Sequence, residues 1–315
     1  MDKKWIAIII IVIIAILACC AAYYSTSDNS NNEVVKVGYM PSDHSAALFV
    51  AYAQKTYQKN HIKVELYQFN NGGDIMTAMA SGDIDIGYVG ITPVLSSIQK
   101  GVPVKVVSSV QSEGSALVVG DKTGITDVTQ LKGKQVATPG MSSIQHILLT
   151  YYLKQNNMKM EDLDVVSMKV PFMSNSLRAG QVDAIMTYEP YASIATTMGY
   201  GIELESSGDM VPNHPCCVMV AREDFIAKHP DTLELMVAIH ENTTKFVIDH
   251  PVETASLLPE DIVASSDIEK ISLTKSKFTY GLSDEFKDAV SQFMKIEVSL
   301  GLLNSTIDDS RLYYK

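Results

Sequence analysis

From Val34 onward, short runs of β-branched and aliphatic residues alternate with stretches whose apolar positions return every three or four residues. The short runs suit buried strands, and the longer spacing suits helices with one apolar face. This rhythm predicts strands at 34–38, 62–69, 85–89 and 104–110. Between them, 45–58 carries Leu48, Tyr52 and Tyr57 near helical spacing, and 74–81 carries Ile75 and Met79 before Gly82. A second series follows, with strands predicted at 115–119, 135–138, 164–170, 184–187 and 202–205. A strand at 216–221 then opens a helical tail, with helices expected over 231–250 and 284–303 and Pro230, Pro251 and Pro259 as punctuation.

Strands that alternate with helices build parallel, doubly wound sheets. The predicted fold class is therefore α/β, with two doubly wound lobes joined by a two-crossing hinge. Residues 34–110 form the first part of lobe 1, 111–212 form lobe 2, and 213–315 return to lobe 1. The crossings are expected near 108–114 and 206–215. A weak internal repeat supports two related lobes: Ser81-Gly82-Asp83-Ile84-Asp85-Ile86 matches Ala179-Gly180-Gln181-Val182-Asp183-Ala184. Each copy ends a helix at Gly, runs an apolar strand, and opens the next helix beside Pro93 or Pro190.

The amino end adds a location. Met1-Asp2-Lys3-Lys4 precedes an apolar run from Trp5 to Ala22 that holds no charged residue. Residues 1–24 read as a signal peptide or as an uncleaved spanning anchor. Ile16-Leu17-Ala18-Cys19 resembles a lipobox, which makes Cys19 the candidate lipid anchor, with Cys20 beside it. Either reading places the body on the extracytoplasmic face of the cell membrane. Residues 25–33 are small and polar, the composition of a flexible tether. Charge then removes one partner class: 25 Lys+Arg against 36 Asp+Glu, for a net charge of −11, argue against nucleic acid. The same charge identifies no ligand.

The ordered set of Gly82-Asp83-Ile84-Asp85-Ile86-Gly87-Tyr88-Val89-Gly90, Leu131-Lys132-Gly133-Lys134-Gln135-Val136-Ala137, Gly180-Gln181-Val182-Asp183-Ala184 and Tyr188-Glu189-Pro190-Tyr191 resembles the nitrate, sulfonate and taurine family of periplasmic binding proteins. The likeness covers roughly residues 36–251. It implies a type II bilobal fold, a small organic anion or zwitterion as ligand, and an ABC permease with its ATPase as partners. A monomer is expected.

In open α/β sheets ligands settle where strands end and helices begin, because the free N–H groups of a helix start favour anions. Tyr39, Ser42 and His44 stand on the first such loop, Asn71 on the second, and Gly90, Ile91 and Thr92 on the third. In lobe 2 the loops carry Gly140, Ser142 and Ser143, then Phe172, then Tyr188 and Glu189. Ser142 and Ser143 are the sharpest anion candidates, and Ser142 could equally cap the helix with Gln145 at the capping-box position. Glu189, a cleft carboxylate by the family resemblance, is expected to pair with a ligand amine, and His214 beside the second crossing completes the candidates.

Cys216 and Cys217 read as buried thiols, since neighbouring cysteines rarely bridge. No catalytic residue, cofactor or metal is expected. His146, His214 and His240 lack ligand spacing, and C-x-x-C, H-E-x-x-H, P-loop and nucleophile-elbow motifs are missing from the sequence. Two alternatives stay open: a thiamine-pyrimidine synthesis or pyrimidine-precursor binding protein, whose cysteine-rich motif would sit near Cys216-Cys217, and a ligand-sensing ectodomain.

Overall fold

The computed structural model describes residues 34–263 and 265–315. The segments assigned to the anchor and tether, with Cys19, lie outside these residues. Among the described residues no helix is long and apolar enough to cross a membrane.

The described residues form eleven strands: β1 (Val34–Tyr39), β2 (Lys63–Gln68), β3 (Ile86–Gly90), β4 (Val104–Glu113), β5 (Ser115–Gly120), β6 (Gln135–Thr138), β7 (Asp164–Ser167), β8 (Ala184–Tyr188), β9 (Gly201–Ser206), β10 (Pro215–Arg222) and β11 (Ser276–Phe278). They form two sheets, ordered β11-β4-β10-β3-β1-β2 and β7-β6-β8-β5-β9. In the first, β1 runs parallel to β2 and β3, while β10 lies antiparallel between β3 and β4. In the second, β6 runs parallel to β7 and β8, and β5 is antiparallel to β8 and β9. Strands covered on both faces need continuous apolar runs. β3 and β8 meet that need, with every residue buried.

The chain passes between the sheets twice. β4 stays in the first sheet to Glu113, Gly114 turns with φ +74, and β5 starts at Ser115 in the second. No other residue suits that turn. A Cβ at Gly114 would collide with Ser276 Oγ and with His44 Nε2, quite apart from the left-handed backbone that disfavours one. The return runs from β9 through the short helix Ser207–Met210 to β10.

Three local features differ from expectation. The helix expected over 45–58 is two, Ala46–Ala53 and Thr56–Lys59, because Lys55 takes φ +57 and interrupts the ladder. β7 stops at Ser167, since Pro171 sits in the first turn of helix Val170–Arg178 and fixes its start. The tail also holds β11 and the helices Pro251–Leu257 and Ser266–Lys275, none of which the apolar pattern marked.

The internal repeat has a physical cause. Asp85 Oδ2 accepts the backbone N–H of Lys36 at 2.9 Å, and Asp183 Oδ2 accepts that of Gln135 at 2.9 Å. Each Asp also donates its own N–H to the same residue's carbonyl, again at 2.9 Å. The motif's carboxylate thus clips the entry of the neighbouring parallel strand in each lobe. A hydrogen bond to a charged acceptor is worth about 1.5–3 kcal/mol. Asp183→Ala should therefore lower unfolding free energy by about 1–2 kcal/mol. Asp85→Ala should cost more, because it also removes the more buried of Arg222's two carboxylate partners, Asp85 Oδ1 at 3.0 Å from Nη2, and leaves only Asp224 at 3.3 Å from Nη1. Urea denaturation of both variants checks the order; an Asp183→Ala midpoint equal to wild type would remove the clip as the repeat's cause.

Candidate functional site

The two sheets face each other with their helix starts inward, and a cavity lies between them. Lobe 1 contributes Asn71, Gly72 and Gly73 at the start of helix Gly72–Ser81, Gly90 and Pro93 at the start of helix Ile91–Gln99, and His44. Lobe 2 contributes Ser142, Ser143, Ile144 and Gln145 at the start of helix Ile144–Gln155, and Tyr188 at the end of β8. Cys216 and Cys217, at the head of β10, complete the wall. Among the described residues, no Asp, Glu, Lys or Arg lines it. The cavity measures about 40 Å³ by the room left for the centre of a water-sized sphere. That is space for roughly three water-sized groups.

Each helix start is built locally. Asn71 Oδ1 accepts from Asp74 N at 2.9 Å and Ser143 Oγ accepts from His146 N at 3.2 Å, so both residues are N-caps. The lobes are closed on one another. A Cβ at Gly90 would meet Ile144 Cδ1 at 3.1 Å across the cleft. Ser42 Oγ donates to the Glu189 carbonyl at 2.8 Å, and Tyr191 Oη donates to the Pro41 carbonyl at 3.1 Å.

The family pattern described as NMT1-like matches residues 28–257. The chain belongs to the NMT1-like family. Among its relatives, the taurine-binding periplasmic protein of Escherichia coli is 29% identical over 203 residues, covering 64% of this chain and 62% of that protein. The 4-amino-5-hydroxymethyl-2-methylpyrimidine phosphate synthase of Schizosaccharomyces pombe is 26% identical over 231 residues, covering 66% and 63%. The matched stretch is thus under two thirds of the length of either protein. In three dimensions, a ligand-binding component of an ABC-type import system from Staphylococcus aureus, with zinc bound, superposes with a TM-score of 0.79 at 23% identity. That match covers 90% of this chain and 96% of the other. It establishes the two-lobed periplasmic binding protein fold.

Of the residues singled out by sequence in this NMT1-like chain, the structure brings His44, Asn71, Gly90, Ser142, Ser143 and Tyr188 to one cavity. Gly140, at φ +125, stands behind it and offers its carbonyl to Ser143 N at 3.0 Å. The remaining candidates lie elsewhere. Tyr39 packs edge-on against Phe49 at 5.1 Å, Ile91 is core, and Thr92 Oγ1 donates to Glu297 at 2.6 Å. Phe172 is 59% exposed because helix Val170–Arg178 turns it outward. His214 stacks on Phe293 at 5.9 Å and faces a separate groove of about 740 Å³ behind the hinge. Ser42 spans the lobes without lining the cavity. Capping falls to Ser143 rather than Ser142, and Gln145 Nε2 donates to Ser115 Oγ at 2.9 Å instead of closing a capping box.

Glu189 is the largest departure. Its carboxylate points away from the cavity into a buried cluster, where it accepts from Ser193 N at 3.0 Å and from Ser272 Oγ at 3.2 Å. Ser272 Oγ also donates to Asp43. Burial first, and the Asp43 charge second, raise the Glu189 carboxyl from 4.5 to about 7. Asp43 and Glu269 are raised as well, burial being the leading cause in each. The Glu189 carboxylate therefore stands off the cavity wall on which the sequence reading placed it.

His44 and the two cysteines are the part of the wall that sequence reasoning missed as a group. His44 is 172 residues from Cys216, so no spacing joins them. Burial opposes charge on His44, but the Cys216 sulfur, the Asp43 charge and the Gly114 carbonyl together outweigh it and the imidazole rises to about 9. Contact with Cys217, and then with His44, holds the Cys216 thiol well below its ordinary value, while the same sulfur contact pushes Cys217 up.

The raised Glu189 carboxyl has a sign that can be tested. Below pH 4.5 folded and unfolded chains both hold its proton; between 4.5 and 7 only the folded chain does, so stability falls as pH rises through that window. Glu189→Gln removes the effect while leaving an acceptor for Ser193. Wild type should lose on the order of 2–3 kcal/mol relative to this variant between about pH 4.5 and pH 7.5. Chemical denaturation at several pH values measures it, and a constant difference would contradict the buried state of Glu189.

Proposed function

We propose that this chain is the extracytoplasmic substrate-binding component of an ABC importer, a monomer whose lobes close over a small organic anion. The observation that carries the reading is the convergence of three helix starts, from both lobes, on one cavity that, among the described residues, no Asp, Glu, Lys or Arg lines. Each start aims unpaired N–H groups and the positive end of a helix dipole at the same space. A chain of net charge −11 thus offers an anion a local welcome that its overall charge would refuse. Contacts supplied by both lobes make the closed form the better binder, so the ligand shifts the population toward it. The permease would read that closed outline.

The taurine-binding relative makes sulfonates the first class to examine. With Glu189 turned away, the cavity favours an anionic group over a zwitterion's amine. The reading is a carrier, since helix ends and hydroxyls suffice to hold and release an anion. Attachment to the membrane through residues 1–24, with Cys19 as the lipid site, is read from sequence alone.

A melting-temperature panel of taurine, alkanesulfonates, nitrate and aminopyrimidines should show a dose-dependent rise with at least one sulfonate or other organic anion. A response to aminopyrimidines alone would favour the pyrimidine relative's chemistry, and silence throughout would defeat the proposal. Ser142→Ala should weaken anion binding by about three- to tenfold with unchanged melting temperature. Ser143→Ala should also lower stability by about 1 kcal/mol, as it deletes a cap. Calorimetric titration of both variants separates ligand contact from capping, and undiminished affinity in Ser142→Ala would take that hydroxyl out of the site.

A further inference from the structure

We propose that His44, Cys216 and Cys217 form a three-ligand site for one thiophilic divalent cation, with Zn²⁺ the best fit and a fourth position open to the cavity. The proposal goes beyond anion binding and does not depend on it. Its basis is a triangle: Cys216 Sγ and Cys217 Sγ are 3.8 Å apart, and each lies 3.8 Å from His44 Nδ1. A tetrahedral ion with bonds of about 2.0–2.3 Å to nitrogen and sulfur separates its ligand atoms by about 3.5–3.8 Å. The three atoms therefore already occupy one face of such a tetrahedron.

Neighbouring residues on a regular strand point to opposite faces. Here the register between β10 and β4 shifts on both sides of Cys217, with Pro215 opposite Ser112, Cys217 opposite Gln111 and Val218 opposite Ser109. The bulge leaves Cys216 without a partner in that register and swings both sulfurs to the His44 side. The imidazole is oriented as metal-binding histidines are: Nε2 lies 2.9 Å from the Gly114 carbonyl and donates to it, so Nδ1 faces the sulfurs and becomes a ligand once a metal displaces its proton.

The charge arithmetic is favourable too. Two thiolates and a neutral imidazole cancel a dication, so the occupied site buries no net charge. All three residues are buried, and all three border the cavity. Two sulfurs, one nitrogen and an open position match the ligand set of catalytic rather than structural zinc sites. An anionic donor atom of the cavity's guest, or a water, completes the tetrahedron.

The test uses the full chain in detergent, reduced and stripped with a chelator, then titrated with Co²⁺. One equivalent should produce thiolate-to-cobalt charge-transfer absorption and the intense ligand-field bands of four-coordinate cobalt, both bleached by Zn²⁺. Cys216→Ser and Cys217→Ser should each lose charge-transfer intensity, and His44→Ala should weaken Zn²⁺ binding at least tenfold. A second arm needs no variant: Zn²⁺ should protect Cys216 and Cys217 from iodoacetamide, mapped by peptide mass, and chelator should restore their labelling. Absence of charge transfer at stoichiometric cobalt, an undiminished band in Cys217→Ser, or alkylation indifferent to zinc would each overturn the site. The anion panel, repeated in chelator, keeps the outcomes separate. Melting shifts there without metal uptake leave the carrier standing and remove the metal, and the reverse pattern removes the carrier alone.

Discussion

The carbonyl of Gly114 is the point on which the arrangement turns. It accepts from His44 Nε2 at 2.9 Å in one lobe and from the Glu189 backbone N–H at 3.0 Å in the other. One peptide oxygen on the hinge strand thus holds a cavity residue of lobe 1 and the end of β8 in lobe 2. Only glycine leaves it free to do so, since a side chain would occupy the space of the imidazole and of Ser276. The orientation of His44, the approach of Tyr188 at a ring distance of 5.6 Å, and the closure of the cleft all follow from that oxygen.

Around this point the protein sorts its charges by depth. The cavity wall carries helix ends, hydroxyls, amides, an imidazole, a thioether and two thiols. Behind it, Asp43, Glu189 and Glu269 share a buried pocket with Ser272, where burial raises the pKa of each carboxyl. The separation matters because a carboxylate on the wall would repel the anion that the helix starts attract. Asp43 comes from lobe 1 and Glu189 from lobe 2, and the two meet there through Ser272.

Much of the fold was legible in the chain. Strands covered on both faces must be apolar throughout, so β3, β5, β8 and β10 announce themselves. The paired Asp85 and Asp183 were visible as a repeat because the same backbone N–H needs the same acceptor in each lobe. β11 escaped notice: at three residues, its pairing with β4 leaves no periodic trace. Within the site, loops at strand ends yielded Asn71, Gly90, Ser142, Ser143 and Tyr188. Phe172 and Glu189 stand on equally suitable loops and face elsewhere, a matter of which side of a helix start a side chain takes.

Sequence by itself determined the α/β class, the order of strands along the chain, and the loops from which a site could be drawn. These rest on hydrogen bonds and apolar periodicity among residues close in the chain. Tertiary structure alone decided that Glu189 turns back into an acidic cluster and that His44 meets Cys216 and Cys217. Each of those depends on a contact between segments far apart in sequence, and the second also on the register shift of β10 against β4 around Cys217. Spacing along one chain does not record such contacts, because the free energy that creates them belongs to the packed pair.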